Sequence, residues 1–88
     1  MKVLIYSTKT CPFCKMEKEY LTQKGVAFEN IFVDEDETKA EEMTRKSGQM
    51  GVPVTVVTGD DGKEEVVVGF DKERLNQVLG LNPALKPT

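Results

Sequence analysis

Two cysteines, the only ones in the chain, stand three positions apart at Cys11 and Cys14. A pair this close cannot join distant segments, so it excludes the small secreted folds that depend on several disulfides. The spacing instead predicts a site of disulfide exchange or one half of a metal site. The fold must therefore present both sulfurs together, and its core must hold without a covalent cross-link.

The segments around this pair predict a strand followed by a helix. Residues 2–6 form a short apolar run typical of a buried strand, and Gly25 is placed to end a helix over residues 12–24. The apolar stripe of that helix is expected to consist of Phe13, Met16, Tyr20 and Leu21. Residues 26–33 are rich in Val, Ile and Phe and predict a second strand. This order is the βαβ pattern, in which the two strands lie parallel.

The rest of the chain predicts a second helix, a hairpin and a last helix. Asp36 or Thr38 can cap the second helix, with Glu41 completing a capping box after Thr38, and the helix is expected to run to about residue 46. Residues 54–57 and 65–68 flank a run of turn-forming residues and predict an antiparallel hairpin. Asp71 is a cap for a last helix that ends at Gly80.

The element order β-α-β-α-β-β-α predicts one α/β domain over residues 1–80, with a single sheet flanked by helices. A chain of 88 residues has room for one such domain and no second one. Residues 81–88, which contain two prolines, are expected to form an irregular C-terminal tail.

Composition narrows the chemistry that this domain can perform. The chain has no histidine, which excludes Cys-His and Ser-His-Asp catalysis and the common Cys/His zinc sites. The net charge is −3 and the basic residues do not cluster, so nucleic acid is not an expected partner. No apolar run approaches the roughly 20 residues of a membrane span, and the N-terminal run is too short for a signal peptide. We expect a monomer in the reducing cytoplasm, where a CxxC pair is more often catalytic or metal-binding than structural.

The strand-to-helix setting predicts that the two thiols are unequal. If Cys11 is the helix cap and Pro12 the first helical residue, Cys14 falls in the same first turn. The helix N-terminus favours negative charge at Cys11, and Lys9 and Lys15 can add to this effect. The hypothesis is that Cys11 is the attacking thiolate and Cys14 the more buried resolving thiol.

Two other interpretations of the cysteine pair stay open at this point. A zinc or iron–sulfur centre usually needs four ligands, and this chain supplies two thiolates, so a complete site would need a second chain, carboxylates or an external thiol. The pair can also be an inert part of the core. Redox catalysis is favoured, and no metal or tightly bound cofactor is expected.

Three separated motifs resemble those of the glutaredoxin branch of the thioredoxin-like superfamily. Thr10-Cys11-Pro12-Phe13-Cys14 looks like the glutaredoxin active-site segment. Gly51-Val52-Pro53-Val54 resembles the family's Thr-Val-Pro segment, in which the proline follows a cis peptide bond and faces the cysteines. Val68-Gly69-Phe70-Asp71 stands where glutaredoxins carry Gly-Gly-x-Asp-Asp. The resemblance implies a thioredoxin-like fold with a four-stranded mixed sheet flanked by three helices.

The resemblance also implies a groove beside the cysteines that binds glutathione as a co-substrate. Val52 would pair through its backbone with the cysteinyl part, Pro53 would shape the groove, and Phe70 and Asp71 would meet the glutamyl carboxylate. Lys9 and Gln49 resemble the remaining polar contacts. The full set of implied groove residues is Lys9, Pro12, Phe13, Gln49, Val52, Pro53, Gly69, Phe70 and Asp71.

Two departures from the family pattern leave the electron donor open. Lys9 lies two residues before Cys11 instead of three, and Val68 and Lys72 replace a glycine and an aspartate of the third motif. The segment Gly69-Phe70 resembles NrdH-type redoxins, which receive electrons from a flavoprotein disulfide reductase. The implied partners are therefore glutathione or such a reductase as donor, and disulfide-bearing proteins as substrates.

Overall fold

Seven elements follow one another within residues 1–80, the part of the chain that the computed structural model describes. They are β1 (Lys2–Ser7), α1 (Pro12–Gln23), β2 (Glu29–Phe32), α2 (Glu37–Ser47), β3 (Val54–Thr58), β4 (Glu64–Val68) and α3 (Lys72–Leu79). The predicted order is confirmed. The predicted irregular tail, residues 81–88, lies outside the described residues.

The strands form one mixed sheet in the order β2-β1-β3-β4. β1 pairs in parallel with β2, as the βαβ pattern predicts, and antiparallel with β3, with Tyr6 opposite Val54. β3 and β4 form the predicted antiparallel hairpin. β1 and β3 are thus the central strands, and the loop after β1 and the loop before β3 meet at one edge of the sheet.

Alternation along the central strands divides the core into two clusters. We call the side covered by α2 the α2 face; its buried residues are Tyr6, Val33, Met43, Val54 and Val56. We call the opposite side the α1–α3 face; its buried cluster is Val3, Ile5, Leu21 and Val57. Because successive residues of a strand point to opposite sides, Thr55 and Val67 also belong to the α1–α3 face.

The second strand is shorter than predicted, because the end of α1 takes its first residues. Gly25 has a φ of 73°, and the N–H groups of Gly25 and Val26 donate to the carbonyls of Thr22 and Leu21. These two bonds are those of a Schellman motif, which closes a helix through a glycine in the left-handed region. Val26 therefore completes the helix end, and pairing with β1 starts at Glu29.

The second helix begins at the earlier of the two predicted caps. The Asp36 carboxylate accepts the Lys39 N–H at 3.2 Å, so the helix starts at Glu37 and Thr38 lies inside its first turn. The predicted capping box between Thr38 and Glu41 is therefore wrong, since the cap position is already occupied. The cap of the last helix is confirmed at Asp71.

Candidate active site at the start of the first helix

Cys11 is the N-cap of α1, and Pro12 is the first helical residue, as predicted. Cys11 Sγ accepts the Cys14 N–H at 3.1 Å, which satisfies one of the free donors of the helix end. Cys11 is partly exposed, whereas Cys14 is fully buried, and both are free thiols. The structure thus places the two sulfurs in one helical turn, with only Cys11 open to a disulfide from solution.

The environment of Cys14 holds its proton firmly. Burial and, to a lesser degree, the hydrogen bond with Cys11 together raise the pKa of the Cys14 thiol to about 12, while the Thr8 backbone opposes the shift. A thiol with so high a pKa is a poor nucleophile at neutral pH unless its proton is removed. The two thiols are therefore suited to different steps of an exchange reaction.

The second motif lies directly against Cys11. The Val52–Pro53 peptide bond is cis, which confirms the expectation from the resemblance. The Cys11 thiol points at the Val52 carbonyl, with 4.0 Å between sulfur and oxygen. Pro53 is buried, and its carbonyl accepts the Gly69 N–H at 2.8 Å. Three segments far apart in the sequence therefore meet at the cysteine pair.

The third motif forms the junction between β4 and α3. Gly69 has a φ of 78°, a left-handed conformation that suits glycine. Phe70 packs edge-on against Tyr20 of α1, with 5.9 Å between the ring centroids. One Asp71 oxygen caps α3 by accepting the Arg74 N–H at 3.1 Å. The bond from Gly69 to Pro53 links this junction to the site, while the Asp71 side chain is engaged as a cap.

The two polar side chains that were predicted to complete the groove are also engaged within the chain. The Lys9 ammonium forms an ion pair with Glu35, next to the Phe32 ring. The Gln49 side-chain amide donates to the Gly51 carbonyl at 3.0 Å, and its oxygen accepts the Gly51 N–H at 2.6 Å. Gln49 therefore braces the loop that leads to Val52.

A cleft of about 420 Å³ opens beside Cys11. It is lined by Thr8, Lys9, Thr10, Cys11, Pro12, Lys15, Lys18 and Phe32. Three lysines give it a positive character, and Lys18 also lies over the Phe32 ring at 4.9 Å from the centroid. Sequence reasoning identified Lys9 and Lys15 but missed Lys18, which follows Lys15 by three positions and therefore shares its side of the helix.

The predicted apolar stripe of α1 is partly wrong. Phe13 and Met16 are 59% and 48% exposed, and the buried residues of the helix are Cys14, Glu17 and Leu21. Positions 14, 17 and 21 lie on one helical face, which packs on the sheet, and Phe13 and Met16 fall to its side. Phe13, which was predicted to contact a substrate, is exposed two residues after Cys11.

Glu17 is the buried residue that sequence reasoning missed. Its side chain is fully buried, and one carboxylate oxygen accepts the Thr55 hydroxyl hydrogen. The other oxygen, Oε1, has no hydrogen-bond partner in the structure of residues 1–80. Burial raises the pKa of Glu17 to about 7, and the Thr55 hydrogen bond counteracts only part of the shift. The available signal was its spacing of three residues from Cys14.

No group of three or more His, Cys, Asp or Glu side chains in residues 1–80 is placed to hold a metal ion. None of the helices over the same range has the length and apolar character needed to cross a membrane.

Comparison with known proteins gives concordant results. The family model described as glutaredoxin matches residues 3–61. Glutaredoxin 3 of Escherichia coli strain K12 is 43% identical over 84 residues, which cover 96% of each chain. The crystal structure of a glutaredoxin from Archaeoglobus fulgidus superposes with a TM-score of 0.76 at 36% identity, covering 89% of this chain and 85% of the other.

A redoxin of the NrdH type is also similar to this chain. NrdH-redoxin from Escherichia coli, a glutaredoxin-like protein with a thioredoxin-like activity profile, superposes with a TM-score of 0.73 at 28% identity. The superposition covers 100% of this chain and 99% of the NrdH-redoxin chain. These structures confirm the thioredoxin-like fold, with its four-stranded mixed sheet and three helices.

Proposed function

This chain belongs to the glutaredoxin family, whose members perform thiol–disulfide redox chemistry, and on that premise we propose that it is a dithiol oxidoreductase. Its substrates are disulfides of proteins or small molecules. The observation that carries the proposal is the pairing of a partly exposed Cys11 with a buried Cys14 in one helical turn. This arrangement supplies an attacking sulfur and an adjacent resolving sulfur.

The reaction consists of two exchanges. The Cys11 thiolate attacks one sulfur of the substrate disulfide, forms a mixed disulfide and releases the first half of the substrate as a thiolate. The Cys14 thiolate then attacks Cys11 Sγ, which forms the intramolecular disulfide and releases the second half. The substrate gains two electrons and the protein loses two. A donor of two electrons must then reduce the Cys11–Cys14 disulfide before the next turnover.

We take glutathione as the leading donor. The lysine-lined cleft beside Cys11 suits the carboxylates of an anionic thiol. The Val52 carbonyl, which faces Cys11, is a backbone acceptor in the position that the family uses for the cysteinyl part of glutathione. Among the other predicted contacts, Phe13 offers exposed apolar surface near Cys11.

A flavoprotein disulfide reductase is the second candidate, and particular contacts favour it. Asp71 and Gln49 are already engaged with backbone groups of the chain, and Lys9 is paired with Glu35. Glutathione would have to share or displace these partners. A reductase that contacts the exposed side chains of Phe13 and Met16 would not need them.

A coupled NADPH assay separates the two donors. The protein is supplied with a small disulfide, and NADPH oxidation is followed with glutathione plus glutathione reductase or, separately, with thioredoxin reductase. We expect turnover in the first system and none with Cys11→Ser. Turnover only in the second would replace glutathione by the reductase as donor. Turnover in neither system, or a coloured chain-bridged preparation that a chelator bleaches, would overturn the enzyme proposal.

The roles of the two cysteines are tested by alkylation at neutral pH. We expect Cys14→Ser to react with iodoacetamide at close to the wild-type rate, because the exposed Cys11 remains. Cys11→Ser should react far more slowly, because the buried Cys14 keeps its proton. Equal losses in the two variants would show that the assignment is wrong.

A further inference from the structure

Glu17 is a fully buried carboxyl group that the two exchanges described above do not use. Its Oε2 is held by the Thr55 hydroxyl, and its Oε1 has no partner in the structure of residues 1–80. Buried polar atoms almost always have a hydrogen-bond partner, and an exception calls for an explanation. A carboxyl group with one free oxygen is equipped to take up a proton.

Within residues 1–80, no charged side chain is paired with Glu17. The buried sheet residues on the α1–α3 face are apolar or carry a hydroxyl group. The other buried residues of α1 are Cys14 and Leu21. The buried residues that share this face with Glu17 are Ile5 and Ser7 of β1, Thr55 and Val57 of β3, Val67 of β4 and Leu75 of α3. The titratable group on the same buried face of α1 is the Cys14 thiol.

The helix directs Glu17 towards that thiol. Residues three apart on a helix are neighbours, with about 5–6 Å between their Cβ atoms. Side chains of a helix also lean towards its N-terminus, so the carboxyl of Glu17 covers the turn that contains Cys14. Thr55, which holds Oε2, lies two residues after the buried Pro53. The Glu17 carboxyl group is therefore buried on the same face of α1 as Cys14, one helical turn further along.

We propose that Glu17 is the general base that accepts the proton of the Cys14 thiol when Cys14 resolves the mixed disulfide at Cys11. This inference rests on the dithiol reaction proposed above. The Glu17 carboxylate takes the proton from Cys14 Sγ and becomes the carboxylic acid. The Cys14 electron pair forms the bond to Cys11 Sγ, the bond from Cys11 to the substrate sulfur breaks, and that sulfur leaves as a thiolate. Glu17 returns its proton to solvent before the next cycle.

The proton affinity of Glu17 suits this task. A general base works best when its pKa lies near the operating pH. Burial brings the pKa of Glu17 to about 7, so the carboxylate is present at neutral pH and is more basic than an exposed glutamate. Below pH 7 the group is protonated and cannot accept the Cys14 proton, so the resolving step should slow as the pH falls.

The test follows the two thiolates that dithiobis-nitrobenzoate releases from the reduced protein in a stopped-flow instrument. The first release reports attack by Cys11, and the second reports resolution by Cys14. At about pH 8 we expect Glu17→Gln to slow the second release about 100-fold, the lower end of what a general base contributes, and to leave the first unchanged. In the wild type the second rate should bend near pH 7, and this bend should be absent from the variant. Glu19→Gln, an exposed change on the same helix, is the matched control and should behave as the wild type.

Each outcome bears on one of the two proposals. A wild type that releases no second thiolate would overturn the dithiol reaction itself. A wild type that releases both, with Glu17→Gln showing the same second rate and the same bend, would overturn the role of Glu17. If Glu17→Gln does not fold, the wild type labelled with ¹³C at glutamate carboxyls decides the question by NMR. The Glu17 signal should titrate near pH 7 and shift when the cysteines are oxidised; an ordinary titration that ignores the redox state would overturn the proposal.

Discussion

On each face of the sheet, one helix places a glutamate against the strands, and the pKa values of these two carboxyl groups are shifted in opposite directions. On the α2 face, Glu42 lies at the edge, where it accepts the Tyr6 hydroxyl hydrogen and pairs with Lys39. These partners lower the pKa of Glu42, chiefly through the hydrogen bond from Tyr6. On the α1–α3 face, Glu17 is buried, has one hydroxyl partner and has a raised pKa. The same residue type is stabilised as an anion on one face and desolvated on the other.

The contrast separates the structural and the reactive parts of this small domain. The α2 face is built from apolar side chains around Met43 and satisfies its edge carboxylate. The α1–α3 face carries Cys14, Glu17 and Thr55 within its buried layer, directly under the site. Burying a polar group without a full set of hydrogen bonds lowers the free energy of unfolding. The buried polar groups of the α1–α3 face should therefore make this face contribute less to stability than the α2 face. Changes on the two faces should therefore affect different properties.

The largest effect on stability is expected for Met43→Ala on the α2 face. Met43 is almost completely buried, and its truncation leaves a cavity in the apolar cluster, which should lower the free energy of unfolding by about 2–5 kcal/mol. Urea denaturation measures this, and the thiolate release rates of the folded variant should not change. Met50→Ala, at a residue that is 80% exposed, is the control and should cost no more than about 0.5 kcal/mol. Slower thiolate release from Met43→Ala would contradict the assignment of structural and reactive roles to different faces.

The next effect concerns the pH dependence of stability on the α1–α3 face. Folding raises the pKa of Glu17 from 4.5 to about 7, so between these values the native state binds a proton that the unfolded state has lost. The free energy of unfolding should fall as the pH rises through this range, by on the order of 3 kcal/mol relative to Glu17→Gln. Urea titrations of both proteins between about pH 4.5 and 8 measure the difference. Parallel curves would mean that Glu17 is not desolvated as the structure indicates.

A smaller effect is expected where α1 meets α3. The Tyr20 hydroxyl donates to the Asn76 side chain, while the Tyr20 ring packs on Phe70. Tyr20→Phe keeps the ring and removes the hydrogen bond, which should lower the free energy of unfolding by about 1 kcal/mol. Urea denaturation again gives the value. Thiolate release should stay at the wild-type rate, because the ring contact that supports Phe70 is retained.

The smallest effect is expected for Glu42→Gln, and it should have the opposite sign to that of Glu17→Gln at neutral pH. The pKa of Glu42 is lowered by folding, so the ionised group stabilises the protein above pH 4.5 and this contribution is lost as the pH falls below that value. Because the Lys39–Glu42 ion pair is accessible to solvent, Glu42→Gln should lower the free energy of unfolding at neutral pH by less than about 1 kcal/mol. A stability gain at neutral pH would place Glu42 in the same class as Glu17.

Much of the fold and of the cysteine geometry could be predicted, because the relevant signals are local. The CxxC spacing and Pro12 predict a capped first turn, and that turn has the expected hydrogen bond from Cys14 to Cys11. Asp71 was identified as a cap for the same reason. The resemblance to glutaredoxins added the cis bond before Pro53, which no local pattern would have predicted.

The order of the elements, the caps of the first and last helices and the presence of two thiols in one turn followed from the sequence alone. These properties depend on residues within about four positions of one another, so they can be read along the chain. The tertiary structure alone decided which face of α1 meets the sheet, and with it the exposure of Phe13 and Met16 and the burial of Glu17. It also decided that Lys9 pairs with Glu35, a residue distant from it in the sequence. Burial and pairing depend on surfaces contributed by distant segments, and only the packed structure brings those surfaces together.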